Sequence, residues 1–250
     1  MTTPGGKTVY GASLGILMLD TRFPRIPGDI GNAATWPFPV QYKVVPAATP
    51  DIVVRGDAGP FLDAFVAAGR ELVAMGCDGI ATNCGFLVLF QEDLSDQLGV
   101  PVASSALLQG SMIERTLPKG QRLGVLTISA ETLSPAHLMA ASLPPDTPIV
   151  GTGAASHFTT YVLDDRPEID FAQARADNVA AAERLIKENP EIGAILLECT
   201  NMVPYAADIR RATGRPVYSI YTYLLWFHAA LLPRRFPSVL DDPRHGGAAE

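Results

Sequence analysis

The chain has 250 residues, 48% of them hydrophobic and 18% charged, with a formal net charge of −7. These are the proportions of a globular protein long enough to build one large or two medium cores. No basic run interrupts the acidic balance, which excludes a nucleic-acid partner, because phosphate binding needs clustered Lys and Arg.

In chain order, residues 1–8 are polar and Gly-containing and read as a frayed tail. A first strand is expected over 13–19, ending at Asp20. Residues 21–39 then hold four prolines and two glycines and end in Trp36-Pro-Phe-Pro39. That composition forbids a helix or a central strand. So long a loop, leaving the carboxyl end of a strand and carrying Trp36 and Phe38, reads as a lid or site wall, with Gly28 and Gly31 as its hinges. A second strand is expected over 40–45 and a helix over 57–75. Cys77 follows as a small buried thiol. Next come a strand ending near Cys84, a helix over 87–98, a strand over 101–103 and a crossing helix over 105–116. The second half brings a strand over 123–128, a helix over 134–142, a strand at 149–150 and a long helix over 169–189. A strand ending near Cys199, a helix over 204–213, a strand over 217–220 and a core helix over 223–232 complete it. That last helix, which carries Trp226, is expected to pack back on the first half. The tail from Pro233 is expected to be ordered only in part.

Two stretches echo one another. Asp78-Gly-Ile-Ala-Thr-Asn-Cys-Gly-Phe86 and Gly193-Ala-Ile-Leu-Leu-Glu-Cys-Thr-Asn201 are each an apolar run that breaks into small and polar residues at a cysteine. Cys84 and Cys199 stand 115 positions apart, as do Pro101 and Pro216, and Ser104 and Ser219. Upstream, Leu14-Gly-Ile-Leu17 pairs with Leu123-Gly-Val-Leu126 at an offset of 109. The fold class is therefore α/β: two pseudo-symmetric domains with parallel sheets and the active site in the cleft between them. The boundaries expected are 1–104 plus 218–250 for the first domain and 105–217 for the second.

Each cysteine ends a strand and precedes an expected helix, whose free N–H groups and partial positive charge lower a thiol's pKa and can hold a carboxylate. Gly85 and Phe86 would supply those groups on one side, Thr200 and Asn201 on the other. Thr127 and Ser129 end the equivalent strand and should reach the same cleft. Arg22 or Arg25 could take a second acidic group by a bidentate contact. Two thiols across a cleft, with a carboxylate between them, suit proton removal from one face of a carbon and return on the other. No Cys-x-x-Cys is present, and His137, His157, His228 and His245 show no ligand spacing with either cysteine, so neither a redox pair nor zinc is expected. His157 could reach the cleft. No cofactor is needed for such chemistry. Three cysteines, an odd number and too few for a disulfide framework, imply reduced thiols and a cytoplasmic protein. The longest apolar run, 217–232, holds Ser219 and His228 and falls short of the roughly 20 residues that span a bilayer, so no membrane partner is expected. The first apolar run lacks a basic leader and a cleavage site.

These residues resemble the aspartate/glutamate/hydantoin racemase superfamily. Glutamate racemases carry Cys-Asn-Thr in the first half and Gly-Cys-Thr-His in the second. Here the second motif is Glu198-Cys199-Thr200-Asn201 and the first is Asn83-Cys84-Gly85-Phe86. The resemblance implies a cofactor-independent racemase or epimerase of an amino acid or a derivative, with Cys84 and Cys199 as the acid–base pair. Glutamate racemases also place an Asp-Ser just after the first strand. Asp20-Thr21 stands two positions later than that, and Asp20, Thr21, Arg22 and Asn83 join the candidate substrate-binding residues. The loop resembles a branch whose first strand runs into a Gly-Asp-Ile-Gly-Asn segment. Arylmalonate decarboxylases of this fold keep only the second cysteine, and Cys84 argues against that activity. A maleate-type cis–trans isomerase and a non-catalytic carboxylate-binding module stay open. The partner expected is a small carboxylate, and a homo-oligomer is left open.

Overall fold

The computed structural model describes residues 5–236. Strands β1 (Leu14–Leu19), β2 (Val40–Val45), β3 (Gly79–Thr82) and β4 (Val102–Ala103) form a parallel sheet in the order β2-β1-β3-β4. Strands β5 (Arg122–Thr127), β6 (Ile149–Gly151), β7 (Ile192–Leu197) and β8 (Val217–Tyr218) form a second in the order β6-β5-β7-β8. Every residue of β1, β3 and β7 is buried. Strands covered on both faces by helices are uniformly apolar rather than alternating, as these sequences are. The duplication is kept in the pairing itself. Leu14 lies opposite Gly79, and Leu123 and Ala194, at the two offsets 109 and 115, lie opposite each other.

Helices α1 (Pro50–Arg55), α2 (Leu62–Ala74), α3 (Gln91–Leu98) and α4 (Gly110–Glu114) belong to the first half of the chain. Helices α5 (Pro135–Ala140), α6 (His157–Leu163), α7 (Phe171–Glu188), α8 (Ala206–Thr213) and α9 (Ile220–Leu231) belong to the second. Helices α3 and α8 end at Gly99 (φ +65) and Gly214 (φ +68), which are 115 residues apart. Both adopt the left-handed conformation that lets a C-cap N–H reach back to the last turn, and glycine does so without strain.

Two short helices were not legible in the periodicity. Thr49 caps α1 by accepting the Ile52 N–H, and Ser156 caps α6 by accepting the Thr159 N–H. Each is under two full turns, too short to show a 3.6-residue pattern. The helix expected over 57–75 splits: a 3-10 turn at Gly59–Phe61 precedes α2.

Helix α9 begins at Ile220, ahead of the expected start, because Ser219 and Thr222 form a capping box. Its Phe227 and Leu231 pack on Gly79 of β3 so closely that a Cβ there would lie 2.8 and 2.7 Å from them. On that contact we propose domain boundaries of 1–104 with 218–250, and 105–217. Trp226 lies on this helix as expected, with its side chain 56% exposed. Ile220, Leu224 and Phe227 form the buried stripe at helical spacing, and Trp226 lies off it, stacked on Tyr223. Of the expected tail, residues beyond 236 lie outside the described ones, as do residues 1–4 of the first.

Candidate active site

The site forms where β3 and β7 end. Cys84 and Cys199 are each the extended residue that caps a six-residue 3-10 segment, Gly85–Phe90 and Thr200–Tyr205. The α-helices follow one segment later. This differs from the sequence expectation of an α-helix directly after each thiol. Tightening begins at once, with the Leu87 N–H on the Cys84 carbonyl and the Met202 N–H on the Cys199 carbonyl, both at 3.1 Å. The two halves meet at these ends. The Thr200 hydroxyl donates to the Asn83 carbonyl at 2.6 Å. Gly85 packs against Glu198 so tightly that any Cβ would overlap its carboxyl oxygen. Gly85 is thus required by a close approach rather than by a turn.

Both cysteines line one narrow cavity with room of only about 20 Å³. Its walls are mostly apolar, from Leu19, Val54, Ile128, Val162 and Leu163, with the rings of Phe23 and Phe86. Of the residues named from sequence, Asn83, Cys84, Gly85, Phe86, Cys199, Thr200 and Asn201 line it, and so does Arg25. The others do not. Asp20 is exposed and accepts the Ala47 N–H, bracing the chain after β2. The Thr21 hydroxyl accepts from Arg25 at 3.0 Å. The Arg22 side chain is 78% exposed and pairs with Asp165. Thr127 is buried behind the site and donates to Glu198 at 2.7 Å. Ser129 faces a neighbouring cavity with Thr132 and Arg184. His157 accepts the Asp170 N–H and lines a surface groove beside α7 rather than the cleft. Cys77 is buried apart from the other two thiols, beside Gly15 of β1.

A chain of contacts runs outward from Cys199. Its thiol donates to the Asn201 amide oxygen at 3.6 Å, and the Asn201 amide N–H donates to Asp29 at 2.5 Å. Asp29, only 3% exposed, accepts from Arg25 at 2.8 Å and from the Gly31 N–H at 2.7 Å. Arg25 lies over the Phe23 ring, 4.5 Å from its centroid. The sequence reading missed Asp29 and Glu198 as site residues. Asp29 stands in the Gly-Asp-Ile-Gly-Asn segment and Glu198 directly before Cys199, so both signals were present as motif neighbours.

The thiols are not acidified in the resting site. Burial, then the Glu198 carboxylate, pushes Cys84 up to about 12, against the N–H groups of Phe86 and Leu87, which favour its thiolate. Cys199 is pushed well above its ordinary value by burial and by Glu198, with the Asn201 N–H opposing. This corrects the expectation of near-neutral thiols: desolvation of a charge in an apolar cavity outweighs one or two N–H groups. Burial likewise raises Glu198 from its ordinary 4.5 to about 7, although the Thr127 hydroxyl and the Ile128 N–H both favour its ionised form.

The loop over 22–39 forms one wall of the cavity through Phe23 and Arg25. It is laced to itself: Asn32 donates to the Arg25 carbonyl at 2.8 Å, and Thr35 to the Asp29 carbonyl at 2.7 Å. Its Phe23 N–H is held by Asp165 at 3.0 Å across the cleft, and Gly28 packs on Pro204. Trp36 does not line the cavity. It is buried, donates to the Ile30 carbonyl at 3.2 Å, and stacks between Phe38 and Tyr221. In this structure the loop is a braced wall anchored by Trp36, and its glycines serve packing: a Cβ on Gly31 would lie 2.5 Å from the Arg25 side chain.

No family model matches the chain. Among characterised sequences it is similar to a dimethylsulfoniopropionate lyase of Durusdinium sp. clade D, 28% identical, over 97% of this chain and 81% of that one. It is also 28% identical to dimethylsulfoniopropionate lyase 7 of Emiliania huxleyi (strain CCMP1516), over 94% of this chain and 69% of that one. Among solved structures, a glycine-to-cysteine mutant of arylmalonate decarboxylase superposes with a TM-score of 0.59 at 15% identity, covering 87% of this chain and 92% of that one. Allantoin racemase from Pseudomonas fluorescens gives 0.55 at 18%, over 91% and 99%. Glutamate racemase from Francisella tularensis gives 0.54 at 11%, over 90% and 85%. These structural neighbours are members of the aspartate/glutamate/hydantoin racemase superfamily, and the chain has that superfamily's fold.

Proposed function

We propose that the chain is an enzyme that removes a proton from the carbon next to a carboxylate, using a cysteine thiolate as the base and no cofactor. The observation that carries this is the placement of Cys84 and Cys199 at equivalent strand ends on one small cavity with Arg25. The reaction we favour is β-elimination from a small carboxylate with a cationic leaving group, of the dimethylsulfoniopropionate kind. The similarity along nearly the whole chain to proteins named as lyases of that compound supports this choice. In that reaction the base takes a hydrogen from the α-carbon. Its electron pair forms the carbon–carbon double bond, and the bond from the β-carbon to sulfur breaks. Dimethyl sulfide and acrylate leave, and one proton is left over. The Arg25 N–H groups not taken by Asp29 and Thr21 suit the carboxylate. The rings of Phe23 and Phe86 in an apolar wall suit a methylated onium.

A second reading is racemisation or epimerisation of an amino acid or a derivative. The presence of two matched thiols favours it, because elimination needs only one base. Incubation with dimethylsulfoniopropionate, read for dimethyl sulfide by gas chromatography and for acrylate by NMR, tests the first reading. A parallel screen of single enantiomers of amino acids and hydantoins in D2O tests the second. Acrylate release that is lost in Cys84→Ala or Cys199→Ala is the expected result. Deuterium at an α-carbon with loss of optical rotation, and no acrylate, would replace the lyase by the racemase.

A further inference from the structure

The two halves of the site follow one plan and depart from it beside the thiols. Asn83 and Glu198 are equivalent, 115 residues apart, and each precedes its cysteine. The Asn83 amide oxygen accepts the Leu19 N–H at 2.8 Å. The Glu198 carboxylate accepts the Thr127 hydroxyl at 2.7 Å and faces the N–H of Ile128, which stands 109 residues beyond Leu19 and favours its ionised form. Receiving the N–H at the end of β1 or β5 needs only an oxygen acceptor, and Asn83 does it without a charge. Glu198 fills the same niche with an ionisable group that is 1% exposed. Burying a carboxylate is costly, and a structural acceptor does not require one. The carboxyl oxygen not held by Thr127 lies against Gly85, next in sequence to Cys84, while Glu198 itself adjoins Cys199. Both thiols feel its charge.

We propose that Glu198 is a positioning residue that takes the proton of the reacting thiol during turnover, so that the thiol becomes a base without first losing its proton to solvent. This rests on the carbon-acid reading above and deepens it. The steps balance. Glutamate carboxylate and cysteine thiol become carboxylic acid and thiolate. The thiolate then takes the α-hydrogen as the leaving group departs. The site now holds one proton more than at the start, and elimination must discard it. Thiols that burial holds well above their ordinary value do not release a proton at neutral pH, whereas a carboxyl raised to about 7 does. A racemase, which returns the proton to its substrate, discards none. The other charged and titratable groups facing the thiols are Arg25 and Asp29, already paired with each other, and Tyr161 of α6. Of Glu198 and the two thiols, Glu198 is the one that changes its protonation near neutrality. The transfer is uphill in the empty site. A bound onium cation, and the N–H groups of Phe86 and Leu87 where Cys84 is the base, bring the thiolate within reach.

The test is a pair of readouts on Glu198→Gln in a Cys77→Ala background. The amide can still accept from Thr127 and Ile128. With dimethylsulfoniopropionate, the wild-type kcat/KM profile should inflect near pH 7. In Glu198→Gln that inflection should vanish, with a loss of about 100-fold or more at pH 7 and a rate that climbs tenfold per pH unit. Thr127→Val removes a bond that favours the carboxylate, so it should move the inflection to higher pH. Iodoacetamide alkylation of the two remaining cysteines should go the other way. It should be faster in Glu198→Gln at pH 8 to 9, because a negative charge beside the thiols is gone. Equal loss of rate at every pH, with the inflection in place, would overturn the proposal, and so would unchanged alkylation. Wild-type protein that releases no dimethyl sulfide refutes the lyase reading instead, and the alkylation arm then decides this one.

Discussion

Replacing Glu198 by glutamine should make the protein's stability respond differently to pH, by an amount that follows from burial. The folded carboxyl is raised from 4.5 to about 7, with burial as the largest cause. Between those values the folded state keeps a proton that the unfolded state has lost. Stability conferred by the protonated form is therefore complete below about pH 4.5 and declines as pH rises through 7. One pH unit corresponds to about 1.4 kcal/mol, so the full loss is about 3 kcal/mol, most of it falling between pH 5 and pH 8. Glutamine does not titrate and carries none of this slope. Urea denaturation of wild type and Glu198→Gln at pH 5, 6, 7 and 8 gives the difference directly, because other titrating groups cancel between the two proteins. The variant should gain on the wild type by about 2 to 3 kcal/mol from pH 5 to pH 8. An unpaired amide N–H would lower all the variant's values by about 1 to 3 kcal/mol without changing the slope. Parallel curves for the two proteins would refute the reasoning, since they would mean that the Glu198 carboxyl is solvated in the folded state.

Cys84→Ala and Cys199→Ala should each abolish turnover with circular dichroism unchanged. Cys77→Ala, at a buried thiol away from the cavity, should cost about 1 kcal/mol of stability and keep activity. Arg25→Gln should raise KM for a carboxylate substrate by roughly 10-fold or more, the weight of a charge-assisted contact. Arg22→Ala should change neither KM nor stability measurably, because its pair with Asp165 is held by a side chain that is 78% exposed. Trp36→Ala should lower stability by roughly 3 kcal/mol or more by leaving a cavity among Phe38, Tyr221 and Tyr42. Its effect on turnover should be secondary, and ligand should leave Trp36 fluorescence nearly unchanged, the reverse of what a moving lid requires.

Much of this was legible because parallel strands and their ends have strong signatures. The uniform apolar runs before Cys84 and Cys199 could only be buried strands, and the 115-residue echo marks their ends as equivalents. What was illegible depended on direction and solvent. Asp20 and Arg22 stand at the right strand end, but their side chains turn outward to Ala47 and Asp165. Sequence position does not state where a loop side chain points. The thiol acidity was misjudged for a related reason. A cap position suggests a lowered pKa, but a cavity walled by Leu19, Val54 and Ile128 excludes the water that a thiolate would need. Trp36 read as a lid aromatic because it follows a loop. Its indole N–H, bonded to the Ile30 carbonyl, makes it an anchor.

The duplication also bears on the choice between the two reactions. A racemase runs in both directions through one pair of groups, so each thiol must serve in turn as acid and as base. Thiols in matched surroundings meet that demand most simply. Here the surroundings differ at each equivalent position. Phe86 stands where Asn201 stands in the other half, and Asn83 where Glu198 stands. Cys84 is approached by two backbone N–H groups. Cys199 is approached by one N–H and donates its proton to an amide oxygen tied to the Asp29–Arg25 pair. One thiol is thus supported as an anion and the other as a donor. Elimination uses a base in a single sense and has a proton to dispose of, and it is served by this inequality. The same four positions, exchanged between the halves by mutation, would show whether the direction of proton flow is written there.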